Sequence, residues 1–218
     1  MTIQRSVEEI RQAFPEVGIT QIINDLDKAQ KDFVLETNLL TTLVALTSIS
    51  TTVKFTLPTD YNRLIELLAY DSTGLPVYLD TLNLAYKVDD TYLYVYSTTP
   101  DTIITGMPST ISTLKLNYYN KPNALIAITS TFGVNDEFKG AVEAMVYEKY
   151  YSRFKVEVQT RSGDIIKVRD FTATKYWQGK VQEYRIRAKR YVNSKDTRPI
   201  EVINYGQAGN YNLQKRPN

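Results

Sequence analysis

Two side chains that enzymes often use for acid–base and nucleophilic chemistry are missing from this sequence. None of its 218 residues is a histidine or a cysteine. Histidine is the usual general base near neutral pH and the commonest transition-metal ligand, and cysteine supplies thiolate nucleophiles, disulfides and most structural zinc sites. Ser-His-Asp catalysis, Cys-His catalysis and disulfide bonds are therefore excluded for this chain.

Two pairs of neighbouring carboxylates remain as candidates for acid–base work or for binding a hard cation. Asp25 and Asp27 fall on the polar side of a predicted helix, and Asp89 and Asp90 fall in a predicted turn. Neither pair is followed by the alternating oxygen ligands, central glycine and terminal glutamate of a calcium loop. Because carboxylates are usually exposed, we expect both pairs to be solvated.

Phosphate-binding loops are not indicated either. They need several closely spaced glycines, and the nine glycines of this chain are scattered singly. Gly179 and Lys180 lack the preceding glycine and the following hydroxyl residue of a P-loop. The sequence therefore predicts no enzyme, no catalytic or metal-binding residue and no cofactor. A hydrolase that works through carboxylates is an alternative, but no pair is nominated for it.

The first part of the chain has helical periodicity. Ser6 and Glu9 have the spacing of a capping box, which predicts a short helix that ends before Pro15. A longer amphipathic helix follows and is expected to end near Leu46. Its apolar residues recur at steps of three or four: Ile22, Ile23, Leu26, Ala29, Phe33 and Leu40. The two helices are predicted within about residues 6–46.

From Val53 the pattern changes to short runs of β-branched and aromatic residues separated by turn residues. The runs are VKFTLP, RLIELLAYD, PVYL, YLYVYS and TLKLNYY, and DSTG marks a turn between the second and the third. They predict an antiparallel β insertion over about residues 53–120.

Helical periodicity returns beyond Pro122. Asn135, Asp136 and Glu137 are typical of a helix N-terminus, and they begin a helix predicted over about residues 136–155. A polar break, TRSGD, separates it from a last helix over about residues 172–192. This helix has a stripe of large apolar residues, which predicts that another helix packs against it.

The predicted fold class is α+β: a helical bundle with an antiparallel β-sheet insertion and an extended C-terminal tail. We expect residues 1–194 to form a single domain. Residues 195–218 show no apolar period, so we expect them to be disordered alone or to lie along a neighbouring protein as a docking tail.

Charge is distributed unevenly along the chain. From Phe171 onward ten basic and three acidic side chains give a net charge of +7, whereas four basic and seven acidic side chains in residues 1–50 give −3. The basic last helix has three interpretations: a solvated face, a docking surface for an acidic protein, or a strip that contacts phosphates. A head-to-tail ring could use the same charge polarity.

Candidate interface residues lie on or just after this last helix. They combine large aromatic residues with cations, the residue types enriched where proteins meet, and the helical spacing of the tyrosines makes them core or interface residues first. The candidates are Trp177, Tyr184, Arg185, Arg187, Lys189, Arg190, Tyr191 and Arg198.

Three segments follow one another along the chain: LPTDYNRLIELLAYDSTG, TLKLNYYNKPNAL and VNDEFKGAVEAMVYEKYYSRF. In this order they resemble the head-to-tail connector (adaptor) proteins of tailed phages. The motifs match an L-P-x-D-Y-x-R strand opening, an L-x-Y-Y-x-x-P turn and a D-E-F-like cap of the main helix. The matching positions are Leu57, Pro58, Asp60, Tyr61, Arg63, Leu116, Tyr118, Tyr119, Pro122, Asp136, Glu137 and Phe138.

The resemblance implies a structural virion protein that forms a ring of about twelve copies between portal and tail. The implied partners are further copies of the chain, the portal protein, other ring or tail proteins, and DNA that passes through the channel without sequence-specific binding. Its implied location is the portal vertex of a virion assembled in the host cytoplasm, and no membrane is expected. Tyrosine-rich usage is similar to that of ring proteins of crAss-like short-tailed phages. The alternative is a nucleic-acid-binding accessory protein that uses the basic last helix.

Overall fold

A computed structural model describes residues 2–159, 161 and 165–195 of the chain. The helices are α1 (Gln4–Ala13), α2 (Ile19–Thr37), α3 (Asp136–Arg153) and α4 (Phe171–Lys195). The strands are β1 (Thr41–Ala45), β2 (Lys54–Thr56), β3 (Tyr61–Tyr70), β4 (Pro76–Val77), β5 (Leu84–Val88), β6 (Tyr92–Ser97), β7 (Thr113–Asn120), β8 (Lys155–Gln159) and β9 (Ile165–Arg169), with a 3-10 turn at Asp80–Leu82. The predicted α+β class is confirmed; residues 196–218 of the predicted tail lie outside the described residues.

The four helices share one apolar core. Leu26 and Phe33 of α2 and Phe138 and Tyr150 of α3 are completely or almost completely buried in it. Buried apolar residues recur at helical spacing on α1, α2 and α4, so each of these helices places an apolar stripe against its neighbours. Helix α3 lies among them, and no residue from Phe138 to Tyr151 is exposed. Burial of these stripes is the main force that holds the helices together.

The strands between the helices form a second core. A four-stranded sheet has the order β1-β7-β3-β4, a three-stranded sheet has the order β2-β6-β5, and every pair in them is antiparallel. Leu93 of β6 and Leu114 and Leu116 of β7 are fully buried in the cluster that both sheets supply. The predicted β insertion over about residues 53–120 is confirmed by β2–β7. The DSTG turn is also confirmed, with Gly74 at a φ of +85° that favours glycine.

The prediction that the second helix runs to about Leu46 was wrong. Helix α2 ends at Thr37, and Asn38 follows in the left-handed conformation with a φ of 54°. Asparagine tolerates this conformation and often ends helices. Thr41–Ala45 then pairs with β7 as an edge strand, so sheet pairing overrides the apolar period that continues to Leu40.

The capping role predicted for Ser6 was also wrong. Helix α1 begins two residues earlier, at Gln4, and no side chain caps it. Ser6 is buried and its Oγ donates a hydrogen bond to Glu143 Oε1 of α3 (2.6 Å), while Glu9 pairs with Arg5. The side chain of Ser6 therefore ties α1 to α3 instead of closing its own helix end.

The two C-terminal helices agree with their predictions, at Asp136–Arg153 and Phe171–Lys195. Asn135 occupies the N-cap position of α3, but its Nδ2 donates to Tyr191 of α4. The polar break between the helices conceals a hairpin, because β8 and β9 pair antiparallel on either side of it. Asp170 begins α4 by accepting a hydrogen bond from the Ala173 amide at 2.8 Å.

Two helical glycines give opposite expectations for replacement by alanine. A Cβ at Gly179 of α4 meets no atom within 4 Å, so Gly179→Ala should raise the free energy of unfolding by about 0.5–1 kcal/mol. A Cβ at Gly140 of α3 would lie 2.4 Å from the hydroxyl oxygen of Tyr184, so Gly140→Ala should lower it by about 1–3 kcal/mol. Urea unfolding of both variants measures the difference, and equal gains in stability would contradict close packing of α3 against α4.

Candidate interaction surface

Helix α4 packs one of its sides against α3. The indole of Trp177 stacks on the Tyr147 ring with centroids 4.5 Å apart and an interplanar angle of 13°. Further along this side, Val181 and Ala188 are buried. The partner helix that the apolar stripe of α4 required is therefore α3.

The two tyrosines predicted as core or interface residues also contact α3 or its N-terminus. The hydroxyl of Tyr184 lies over Gly140, which leaves room for it because glycine has no side chain. The Tyr191 ring meets the Phe138 ring edge to face at 5.5 Å, and its hydroxyl accepts a hydrogen bond from Asn135. Both residues therefore hold α4 in place within the chain. Whether they also contact another molecule stays a prediction.

Two of the predicted interface cations form ion pairs within the chain. Arg185 reaches Glu36 of α2, with Nε 2.6 Å from Oε2 and Nη2 donating to Oε1 at 3.1 Å. Arg187 lies 3.5 Å from Glu137 and is largely exposed, so that pair adds little stability. Arg198 lies outside the described residues.

The side of α4 that faces away from α3 is the outer face, defined by Phe171, Lys175, Ile186, Lys189 and Arg190. Phe171 is 67% exposed and Ile186 is 53% exposed. The three cations are exposed as well, and none of them has an ion-pair partner in the part of the chain that the structure describes. Within the described residues, the face therefore combines positive charge that has no ion-pair partner with exposed apolar side chains.

Sequence reasoning missed the two apolar residues of the outer face. Phe171 and Ile186 lie fifteen residues apart, close to four turns of an α-helix, and Trp177 lies on the opposite side. A helical wheel places Phe171 and Ile186 opposite Trp177 and Val181, and this could have separated them from the residues that pack on α3. The outer face is a candidate for contact with another molecule because exposed large apolar side chains often mark interaction sites, and the surrounding positive charge can orient an acidic partner.

Solvation of the first carboxylate pair was a wrong prediction. Only 12% of the Asp25 side chain is exposed, and it accepts hydrogen bonds from Lys149 and from the Tyr150 hydroxyl of α3. Asp27 pairs with Lys31 and accepts a hydrogen bond from the Leu125 amide at 2.8 Å. These carboxylates lie on the polar side of α2, but other elements cover that side.

The second carboxylate pair is exposed, as predicted. Asp89 Oδ1 accepts hydrogen bonds from the amides of Thr91 and Tyr92 in the turn between β5 and β6. These hydrogen bonds hold the pKa of Asp89 below its ordinary value. Its role is to close a turn, and Asp90 is exposed beside it.

Two further findings concern metals and membranes. Within residues 2–159, 161 and 165–195, no three metal-ligating side chains come together as a site. No helix of this part of the chain is both long enough and apolar enough to cross a bilayer.

Stability is expected to fall as the pH rises from about 10 towards 12. Burial, followed by the nearby carboxylates of Glu9 and Glu143, raises the pKa of Tyr147 to about 12. The unfolded chain ionises this phenol near pH 10, so the stabilisation is complete below about pH 10 and is lost as the pH rises through the folded pKa. Tyr147→Phe should reduce the slope of melting temperature against pH in this window. Equal slopes for the two proteins would contradict the assignment.

Comparisons with known proteins find similarity among solved structures. No protein-family model matches the chain, and no curated protein matches it in sequence. Among solved structures, a chain of the "Neck of empty GTA particle computed with C6 symmetry" is similar over 81% of this chain and 91% of that chain, with a TM-score of 0.28 and 13% sequence identity. A similarity at this level carries no functional argument, so function is argued from the residues of the chain itself.

Proposed function

We propose that the chain is a non-enzymatic structural protein of a tailed-phage virion. In this proposal about twelve copies form a ring between portal and tail, and the ring provides the DNA channel and a docking platform for the neighbouring proteins. The order and spacing of the connector-like motifs between Leu57 and Phe138 support the family assignment. DNA passes through the channel without sequence-specific binding.

The outer face of α4 is the observation that carries the proposal. In a closed ring each subunit contacts one neighbour on each side. Because these contacts are head to tail, each subunit must present two different surfaces that complement each other. The outer face has the composition of one such surface: Phe171 and Ile186 supply apolar area, and Lys175, Lys189 and Arg190 supply charge that the described part of the same chain leaves unpaired.

The complementary surface is proposed to lie on the acidic N-terminal part of the next subunit. Glu8, Glu16 and Glu36 are exposed there, and residues 1–50 have a net charge of −3. Glu36 already pairs with Arg185, so Glu8 and Glu16 are the better candidates for contact with the cations of a neighbouring α4. Opposite charge on the two surfaces would set the orientation of the subunits as they associate.

The two parts of the chain have different roles in the proposed ring. Residues 1–194 form the connector domain, whose helices pack laterally. Residues 195–218 form a docking tail that reaches a neighbouring subunit, the portal or a further ring or tail protein. The proposed location is the portal vertex of the virion, after assembly in the host cytoplasm.

A nucleic-acid-binding accessory protein is the second candidate, and the same unpaired cations favour it. Lys175, Lys189 and Arg190 lie on one side of a helix and could contact phosphates. This candidate predicts DNA binding by the isolated subunit that weakens steeply as the salt concentration rises. A ring subunit should bind DNA only weakly.

One set of variants distinguishes the ring function from the nucleic-acid-binding function. Ile186→Glu places a carboxylate in the middle of the outer face, and Ile103→Glu is the matched control, because Ile103 is 91% exposed on the loop after β6. In the ring proposal, Ile186→Glu should weaken self-association at least tenfold in sedimentation velocity without changing the melting temperature, and Ile103→Glu should not. Equal association of both variants, with salt-sensitive DNA binding by the unmodified chain, would contradict the ring proposal.

A further inference from the structure

A groove of about 1060 Å³ lies between the helices and the two sheets. Its first wall is the end of α4, at Tyr191 and Val192, together with the end of α2 at Asn38. Its second wall is the outer side of the four-stranded sheet, where Glu66 and Tyr119 line it. Its far side is the strand β5 of the other sheet. The groove therefore begins where the described part of α4 ends.

Two unpaired strand edges meet in this groove. Strand β3 has ten residues, but β4 pairs only with Ala69 and Tyr70, and no other described strand pairs with this edge of β3. Consecutive β3 residues from Ile65 to Tyr70 line the groove, which shows that it follows the strand edge as well as one side of the sheet. Strand β5 is the last strand of its own sheet, and its residues 84–86 also line the groove.

An open strand edge carries backbone N–H and C=O groups that have no partner in the sheet. Proteins usually cover such edges, or use them to bind an extended segment as an additional strand. Apolar and aromatic side chains are exposed beside these edges, with Tyr78 51% exposed and Tyr86 40% exposed. The groove therefore fits an extended segment with apolar side chains on both of its faces.

The chain itself contains such a segment directly after α4. Residues 200–205 read IEVINY, in which Ile200 and Val202 fall on one face of a strand and Ile203 and Tyr205 on the other. Residues 196–199 are a link of four residues, which can span up to about 14 Å. Because Tyr191 and Val192 lie at the groove, a link of this length is long enough for residue 200 to reach the strand edges.

We infer that residues 200–205 of the same chain add to the outer edge of β3 as a fifth strand of the four-stranded sheet. The six residues span about 20 Å, which is shorter than the stretch of β3, residues 61–68, that β4 leaves open. Residues 206–218, which include Lys215 and Arg216, extend beyond the groove. The inference does not depend on the ring proposal, since it concerns a single copy of the chain. If both hold, residues 206–218 are the part of the docking tail that reaches a neighbouring protein.

Cross-linking of introduced cysteines in the full chain tests the inference. The chain has no cysteine of its own, so no native thiol can react with the cross-linker. Tyr86→Cys on β5 combined with Val202→Cys should give an internally linked monomer with a short bismaleimide, seen as a shifted monomer band on a denaturing gel. The matched control combines Ile103→Cys with Val202→Cys, because Ile103 is exposed and does not line the groove. Formation of dimers only would overturn the inference in favour of exchange between copies. Absence of product with the first pair, or equal product with both, would overturn it as well.

Hydrogen exchange of the full chain gives a second, independent test. Val202→Pro removes a backbone donor from the proposed strand, and Gln207→Pro makes the same change outside it. Val202→Pro should accelerate amide exchange roughly tenfold in part of residues 62–68, whereas Gln207→Pro should leave it unchanged. Equal exchange in the two variants would overturn the inference.

Discussion

Replacement of Phe138 by alanine is expected to lower the free energy of unfolding by about 3–5 kcal/mol. Phe138 is fully buried near the start of α3, where its ring lies 6.0 Å from Phe33 of α2 and 5.5 Å from Tyr191 of α4. The truncation removes the apolar contact area and leaves a cavity among three helices, so both costs add. Urea unfolding followed by circular dichroism measures the loss.

The matched control for this prediction is Phe171→Ala. Phe171 is the first residue of α4 and is 67% exposed, so its truncation should change the free energy of unfolding by no more than about 0.5 kcal/mol. A similar loss in both variants would show that the helical core does not depend on the contacts of Phe138. The same control shows whether a later effect of Phe171→Ala on association is independent of stability.

Leu116→Ala is expected to lower the free energy of unfolding by about 2–5 kcal/mol. Leu116 is fully buried on β7, which is flanked by strands on both sides, and pairs with Val44 of β1 and Leu67 of β3. Leu43→Ala in the neighbouring strand is the matched control, because Leu43 is 52% exposed. Its change should stay within about 0.5 kcal/mol.

Phe138 and Leu116 also test the predicted single domain, because they belong to separate core clusters. If residues 1–194 unfold as one cooperative unit, Phe138→Ala and Leu116→Ala should each lower one common transition. Two transitions, one for each core, would instead indicate two domains.

Elements whose pattern is decided locally could be predicted from the sequence. Helix α3 combines acidic residues at its start with a regular apolar period, and its bounds differ from the prediction by two residues at most. The strands between Lys54 and Asn120 likewise follow runs of β-branched and aromatic residues bounded by turn residues.

Elements decided by distant partners could not be predicted in the same way. Thr41–Ala45 continues an apolar helical period, but β7 offers it a pairing edge more than sixty residues away. Asp25 follows the polar side of α2, and only the packing of α3 reveals that Lys149 and Tyr150 face it. The hairpin β8–β9 is different, because its two strands, KVEVQ and IIKVR, alternate locally and only the TRSGD between them is a polar break.

The candidate site was predicted in location but not in detail. The composition of the last helix indicated a cationic surface, and on its outer face the structure shows cations that have no ion-pair partner among the described residues. Trp177 and Tyr184, by contrast, hold α4 against α3. Composition identifies which residue types could form an interface, but only packing separates the residues used within the chain from those left exposed, such as Ile186.

The mass of the complex formed when the purified chain is mixed with the portal ring of the same virus tests the proposed function most directly. Mass photometry should show close to a dozen copies of the 25.0 kDa chain added to each portal. Absence of any added mass, together with salt-sensitive DNA binding by the chain alone, would contradict the connector function and favour the nucleic-acid-binding alternative.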